Sequence, residues 1–319
     1  SDTEVLVNAI EFWGLEKTLN LSKGMFAFAL LNKKRRRLFL VRDRFGEKPM
    51  YFGFTGYGSS KALVFGSEIS ALMEFPSFKK ELNLNAIDSL MRFSCLPSDL
   101  TIYESIKKLK PGHIANFDLE KCFEHNPSVY KWWDYKDTIE ENDKLQFNSE
   151  KEALSNLDIV LKKAIKDCSI SDVPIGCFLS GGIDSSLIAA LLTEVSTTKI
   201  NTFTIGFEDK NYDESNDAKK VAKYLGTAHQ EIILKPDEVL KIIPDLPSIY
   251  SEPFADTSQI PTALICREIK KKGLDVALTG DGGDEVFGGY VRHFRGPSSW
   301  AKIKLIPYPI RSKLGKLLK

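Results

Sequence analysis

Cysteine is scarce in this chain and follows no pattern. Cys95, Cys122, Cys168, Cys177 and Cys266 are scattered through 319 residues, and no two have C-x-x-C spacing. That argues against zinc and dithiol redox chemistry. A long chain with few cysteines fits a reducing compartment, so a cytoplasmic location is expected. Long apolar runs are missing too. None approaches the roughly 20 residues that span a bilayer, and no membrane partner is expected. Charge of one sign is also missing: 44 basic against 43 acidic residues leave +1. That balance gives no reason to expect nucleic acid. Internal repeats and low-complexity stretches are absent. The opening Ser1-Asp2-Thr3-Glu4 lacks the basic start of a signal peptide.

What is present fits a soluble globular chain long enough for two domains. The first part reads as β-rich. Met25 to Leu31 and Leu38 to Val41 flank Asn32-Lys33-Lys34-Arg35-Arg36 and predict a hairpin with a solvated basic tip. Met50 to Phe54, Ala62 to Phe65 and His113 to Phe117 are further strand candidates. Residues 126–148 show no sustained period and read as a connection between domains. Ser149 and Glu152 then form a capping box for a helix with Leu154, Leu157, Leu161, Ile165 and Cys168 on one face.

Strand and helix alternate from there. Strands fit Ile175–Leu179, Ile200–Ile205, Gln230–Ile233 and Asp275–Leu278. Helices fit Ser185–Leu192, Ser215–Leu225 before Gly226, and Gln259–Lys272 before Gly273. Alternation of this kind predicts an α/β fold, a parallel sheet with helices on both faces. Ligands of such sheets sit beyond the carboxyl ends of the strands.

Two glycine loops follow strands of that predicted sheet. The first is Ser180-Gly181-Gly182-Ile183-Asp184-Ser185-Ser186. A strand, a glycine turn and a helix N-terminus aim backbone N–H groups and a positive dipole end at one spot, which suits phosphate. No Gly-Lys-Ser/Thr follows, so this is not a Walker A loop. Backbone and hydroxyls could hold pyrophosphate, and Asp184 could hold Mg²⁺. A plain strand-to-helix turn is the competing reading. The second loop is Thr279-Gly280-Asp281-Gly282-Gly283-Asp284-Glu285-Val286-Phe287-Gly288-Gly289-Tyr290. Its clustered carboxylates repel one another, so a cation is expected among them. Its glycines argue for close backbone approach rather than a polar surface turn. Together the loops imply one ATP–Mg²⁺ site.

Two further constellations have simpler readings. In Ser251-Glu252-Pro253-Phe254-Ala255-Asp256-Thr257-Ser258-Gln259, Asp256 and Ser258 suit a helix cap, and the role of Glu252 is open. Asp213-Glu214-Ser215 also reads as a cap, with metal or substrate contact as the alternative.

These motifs carry a family resemblance. The first loop resembles the PP-loop of ATP-pyrophosphatases. With Thr279–Tyr290 it resembles glutamine-hydrolysing asparagine synthetases. Ser1–Val5, Gly24–Ala29 and Arg42–Tyr51 are similar to the later part of that family's class II glutaminase domain. The resemblance implies a partial α+β (Ntn-type) glutaminase domain over 1–125, a linker over 126–148, and a C-terminally truncated ATP-pyrophosphatase domain over 149–319. It implies that aspartate attacks ATP to give β-aspartyl-AMP and pyrophosphate, and that ammonia from glutamine then gives asparagine and AMP. By position, Leu179, Ile205, Thr279 and Gly280 would contact adenosine. Ser180, Gly181, Gly182 and Ser185 would hold pyrophosphate, and Asp184 Mg²⁺. Asp281, where the family usually has Glu, and Asp284 would serve the aspartate half of the reaction. Asp2 would contact the amino group of glutamine. Partners would be aspartate, glutamine or ammonia, and ATP, with a homodimer left open.

The departures shape the expectation. The family's N-terminal cysteine nucleophile has no counterpart, since Ser1 belongs to the internal Ser-Asp-Thr-Glu motif. Lys302 to Lys319 is basic without an acidic residue. It reads as a segment cut from its helical domain, with a lipid-binding tail as the alternative. The chain is therefore expected to be an internal fragment lacking both ends, without glutaminase activity of its own. A relative acting on another carboxylate and a nucleotide-binding module without turnover remain the other readings.

Overall fold

The hairpin forms where the apolar runs predict it. Strands β1 (Ala27–Asn32) and β2 (Arg37–Arg42) pair antiparallel, Ala27 opposite Arg42, around an exposed basic turn. The computed structural model describes residues 1–97, 99–142, 146–207 and 213–317. Parts of the predicted connection (143–145) and of the basic tail (318–319) lie outside the described residues. The chain divides into two compact units. One comprises Ser1–Leu157 and Pro236–Leu264, the other Asp158–Lys235 and Ile265–Lys319.

In the first unit, β3 (Tyr51–Thr55) pairs with β4 (Ala62–Gly66) and β5 (Ile106–Lys108). Strands β6 (His113–Asp118) and β7 (Ser128–Lys131) extend the hairpin into a sheet ordered β1-β2-β6-β7. Leu38, Leu40, Met50, Phe52, Leu109 and Phe117 form a common core of the two sheets. Helices are more numerous here than the apolar runs suggested. They are α1 (Asp2–Trp13), α2 (Leu15–Leu21), α3 (Ile69–Met73) and α4 (Leu84–Phe93). The stretch read as a connection also holds structure: β7 and α5 (Tyr135–Asn142). Only the pairing of Ser128–Lys131 with β6 makes that short run a strand.

Helix α6 (Glu150–Cys168) keeps one of the two bonds of its predicted capping box, the second going to Asn148 instead of Ser149. Ser149 Oγ accepts from Glu152 N at 3.2 Å, while Glu152 Oε2 accepts from Asn148 N at 2.9 Å. Of its predicted apolar face, Leu161 and Ile165 pack inward, but Leu154 is exposed.

The second unit holds β8 (Ile175–Phe178), α7 (Ile183–Val195), β9 (Asn201–Phe207), α8 (Ser215–Leu225) and β10 (Ala228–Leu234). After α9 (Pro236–Ile242) and α10 (Leu246–Ile249), which belong to the first unit, come α11 (Gln259–Lys271) and β11 (Val276–Leu278). The four strands form a parallel sheet ordered β10-β9-β8-β11. Alternation along the strands supplies two cores. Cys177 and Leu179 pack with Leu191, Leu192 and Ala218 on the α7–α8 side. Phe203 packs with Ile265 and Ile269 of α11 on the other. Phe203 is fully buried, which is worth about 2–3 kcal/mol. Helices α12 (Gly283–Phe287), α13 (Val291–Ile303) and α14 (Tyr308–Leu317) complete the unit. No helix among the described residues is long and apolar enough to cross a membrane.

Candidate functional site

The strand order reverses beside β8. Strands β9 and β10 lie on one side of it, while β11, last in sequence, lies on the other. Ligands of parallel sheets bind at such a switch point, beyond the carboxyl ends of the strands. Both predicted glycine loops begin there, one after β8 and one after β11.

The loops touch each other. A Cβ on Gly280 would lie 2.9 Å from Ser185 N, and one on Gly283 would lie 2.6 Å from Asp184 Cγ. At Gly280 the neighbours are backbone, so only glycine permits the approach; at Gly283 the Asp184 side chain would have to move aside. The first loop is also pressed against α8. Gly181 has φ 82°, and a Cβ there would lie 2.8 Å from Ala218 N and 2.9 Å from the Asp217 Cβ. The contact with Asp217 and Ala218 was not read from the sequence. The small Ala218 three residues into α8 was the available signal.

Hydroxyls brace the first loop from within. Ser185 Oγ accepts from Ser180 N at 3.1 Å and lies 2.9 Å from Ser180 Oγ. Ser180 Oγ in turn accepts from Gly182 N at 3.3 Å. Helix α7 has no side-chain cap, so its first-turn N–H groups face the site. An uncapped N-terminus of this kind favours an anion. The Asp184 carboxylate sits in that first turn, with no hydrogen bond or ion pair recorded among the described residues. Its oxygens are free for a cation. A single carboxylate beside a phosphate-binding helix N-terminus is a donor set that fits Mg²⁺, which is held by one or two carboxylates together with phosphate and water.

In the second loop, Thr279 Oγ1 donates to Asp281 Oδ2 at 3.0 Å. The Asp284 side chain folds over Gly289, where a Cβ would overlap its Oδ1. Tyr290 Oη donates to Glu285 Oε1 at 2.8 Å, which holds the Glu285 carboxyl below its ordinary range. The Arg292 guanidinium lies 4.0 Å over the Tyr290 ring. Asp213 does not cap α8 as expected: Glu214 is the N-cap and no side chain caps the helix, while Asp213 Oδ1 accepts from Ser215 N at 3.1 Å in a local turn, and hydrogen bonds from Ser215 lower the Asp213 pKa.

The structure thus brings Ser180, Gly181, Gly182, Asp184, Ser185, Gly280 and Gly283 together. Leu179 is buried at the end of β8, its N–H donating to Phe203 O at 2.8 Å. Ile205 packs in the α11-side core. Asp2 lies in the first unit, in the first turn of α1, where Oδ1 accepts from Thr3 N at 2.8 Å. The Ser1 hydroxyl caps that helix, accepting from Glu4 N at 3.4 Å.

The family model for asparagine synthase matches residues 156–319. The chain belongs to the asparagine synthase family. A glutamine amidotransferase domain model matches residues 1–133. An asparagine synthetase homologue of Methanocaldococcus jannaschii is 35% identical over 299 residues, covering 93% of this chain and 55% of its own. Asparagine synthetase [glutamine-hydrolyzing] 1 of Bacillus subtilis is 32% identical, covering 98% of this chain and 47% of its own. The chain spans about half the length of the curated relatives it matches. Among solved structures, the NH3-dependent NAD synthetase from Campylobacter jejuni covers 43% of this chain and 60% of its own at TM-score 0.31 and 14% identity, an overlap too loose to bear on the fold.

Proposed function

We propose that this protein takes part in ATP-dependent conversion of aspartate to asparagine, with nitrogen from glutamine. The observation that carries this reading is the contact of the two glycine loops at the sheet's switch point, beside an uncapped helix and an unpaired carboxylate. The α7 N-terminus and the Ser180–Ser185 loop bind the β and γ phosphates as the leaving pyrophosphate. Asp184 holds Mg²⁺, which when bound neutralises phosphate charge. Thr279 and Gly280, with Leu179 just after β8 and Ile205 within β9, border the adenosine. The aspartate side-chain carboxylate attacks the α-phosphorus, a bond to pyrophosphate breaks, and β-aspartyl-AMP forms. Ammonia then attacks the acyl carbon and AMP leaves. Asp281 and Asp284 orient the aspartate and its attacker, and Asp2 contacts the amino group of glutamine.

Domain boundaries at 1–125, 126–148 and 149–319, a cytoplasmic setting and a homodimer belong to the same proposal. Product analysis tests its core. The protein, given ATP, aspartate and glutamine, should yield AMP, pyrophosphate and asparagine in equal amounts. ADP with phosphate would overturn it. Pyrophosphate release with another carboxylate, but not with aspartate, would reassign the acceptor.

A further inference from the structure

One buried charge cluster lies apart from the glycine loops. Lys108 Nζ and Glu252 Oε2 are 2.5 Å apart, with side chains only 17% and 11% exposed. Among the recorded ion pairs of the described residues, no other has both partners so buried. Tyr51 Oη donates to the same Glu252 oxygen at 2.9 Å, and burial raises the Tyr51 pKa. Ser251 Oγ contacts Glu68, and Ala255 N donates to Ser94 O at 2.7 Å. A single turn, Ser251–Ala255, is therefore tied to β3, β5 and the segments around α3 and α4. Glu252 Oε1 is buried with no hydrogen-bond partner among the described residues.

The position of this turn is unexpected from the family boundaries. Residue 252 falls within the part matched by the asparagine synthase model, 156–319. Tyr51 and Lys108 fall within the part matched by the glutamine amidotransferase model, 1–133. By contacts, all three belong to the first compact unit. Along the chain, the turn runs directly into α11, whose far end feeds β11 and the second glycine loop. A buried ion pair contributes little net stability, because desolvation offsets its attraction. Its best-attested use is to fix register. An apolar pair would pack there without directional bonds.

We propose that Glu252, held by Lys108 and Tyr51, is a positioning residue that fixes the 251–255 turn and so couples use of glutamine to asparagine formation. The inference rests on the proposed function. Its test uses the complete protein, with glutamate and asparagine measured together, and aspartate-dependent pyrophosphate release measured with ammonia in place of glutamine. Glu252→Gln should raise the glutamate-to-asparagine ratio by about fivefold, the lower end of typical coupling between sites. Ammonia-supported synthesis should hold. The double variant K108M/E252M should recover the melting temperature of the parent without recovering the ratio. Recovery of both would make the pair merely structural and overturn the inference. So would an unchanged ratio in Glu252→Gln, or equal loss of both activities. A parent that releases no pyrophosphate with aspartate would instead sink the functional reading itself.

Discussion

Two alanine substitutions separate backbone strain from close packing in the glycine loops. Gly181 and Gly282 both have positive φ, 82° and 91°. An alanine in that region is strained by roughly 1–2 kcal/mol. At Gly282 the added Cβ meets nothing within 4 Å, so strain is the whole effect. At Gly181 it would lie 2.8 Å from Ala218 N and 3.0 Å from Asp217 C, which are backbone atoms of a packed helix. Overpacking of that kind adds about 1–3 kcal/mol. Gly181→Ala should therefore lose roughly 2–5 kcal/mol in urea unfolding, and Gly282→Ala roughly 1–2 kcal/mol. The difference measures how tightly the first loop is seated on α8. Calorimetric titration with ATP–Mg²⁺ should show the larger loss for Gly181→Ala. Equal losses at the two sites would refute the packing argument.

Other expectations follow from single residues. Asp184→Asn should keep the fold but weaken ATP–Mg²⁺ binding by at least about tenfold, because it removes the free carboxylate of the first loop; unchanged affinity by calorimetry would remove Asp184 from the cation role. Asp43 is 1% exposed and accepts from Phe26 N, Phe45 N, Glu47 N and Lys48 N at 2.9–3.3 Å. Asp43→Ala should cost about 3–5 kcal/mol in urea, since buried donors are left unpaired; a loss under about 1 kcal/mol would contradict it. His229 is half-buried, with Nδ1 3.0 Å from Thr202 Oγ1, and burial lowers its pKa from 6.5. The unfolded chain thus binds the proton first, so this contribution is present above pH 6.5 and is lost as pH falls through the lower folded value. His229→Gln should flatten the stability profile over that window, and an unchanged slope would count against the burial.

Much of the second unit was legible because its signals are local. Apolar runs bounded by glycine and polar turn residues mark β8, β9, β10 and β11. The switch point followed only from pairing, which local sequence does not encode. The first unit was read less well. Ser128–Lys131 is too short to announce a strand, α2 and α3 are only seven and five residues long, and α1 and α4 leave apolar residues such as Phe12 and Met91 exposed. The chemistry of the loops was visible in residue type and glycine content. The contact of Gly181 with α8, and the burial of Glu252 against Lys108, join residues far apart in sequence. Neither leaves a spacing that could be counted.

The central claim is that a carboxylate attacks the α-phosphorus of ATP at the paired glycine loops. Aspartate labelled with ¹⁸O in its side-chain carboxylate tests this most directly. The complete protein, supplied with ATP and a nitrogen source, should transfer one ¹⁸O into the phosphate of AMP and none into pyrophosphate. Label in inorganic phosphate, accompanied by ADP, would contradict the account.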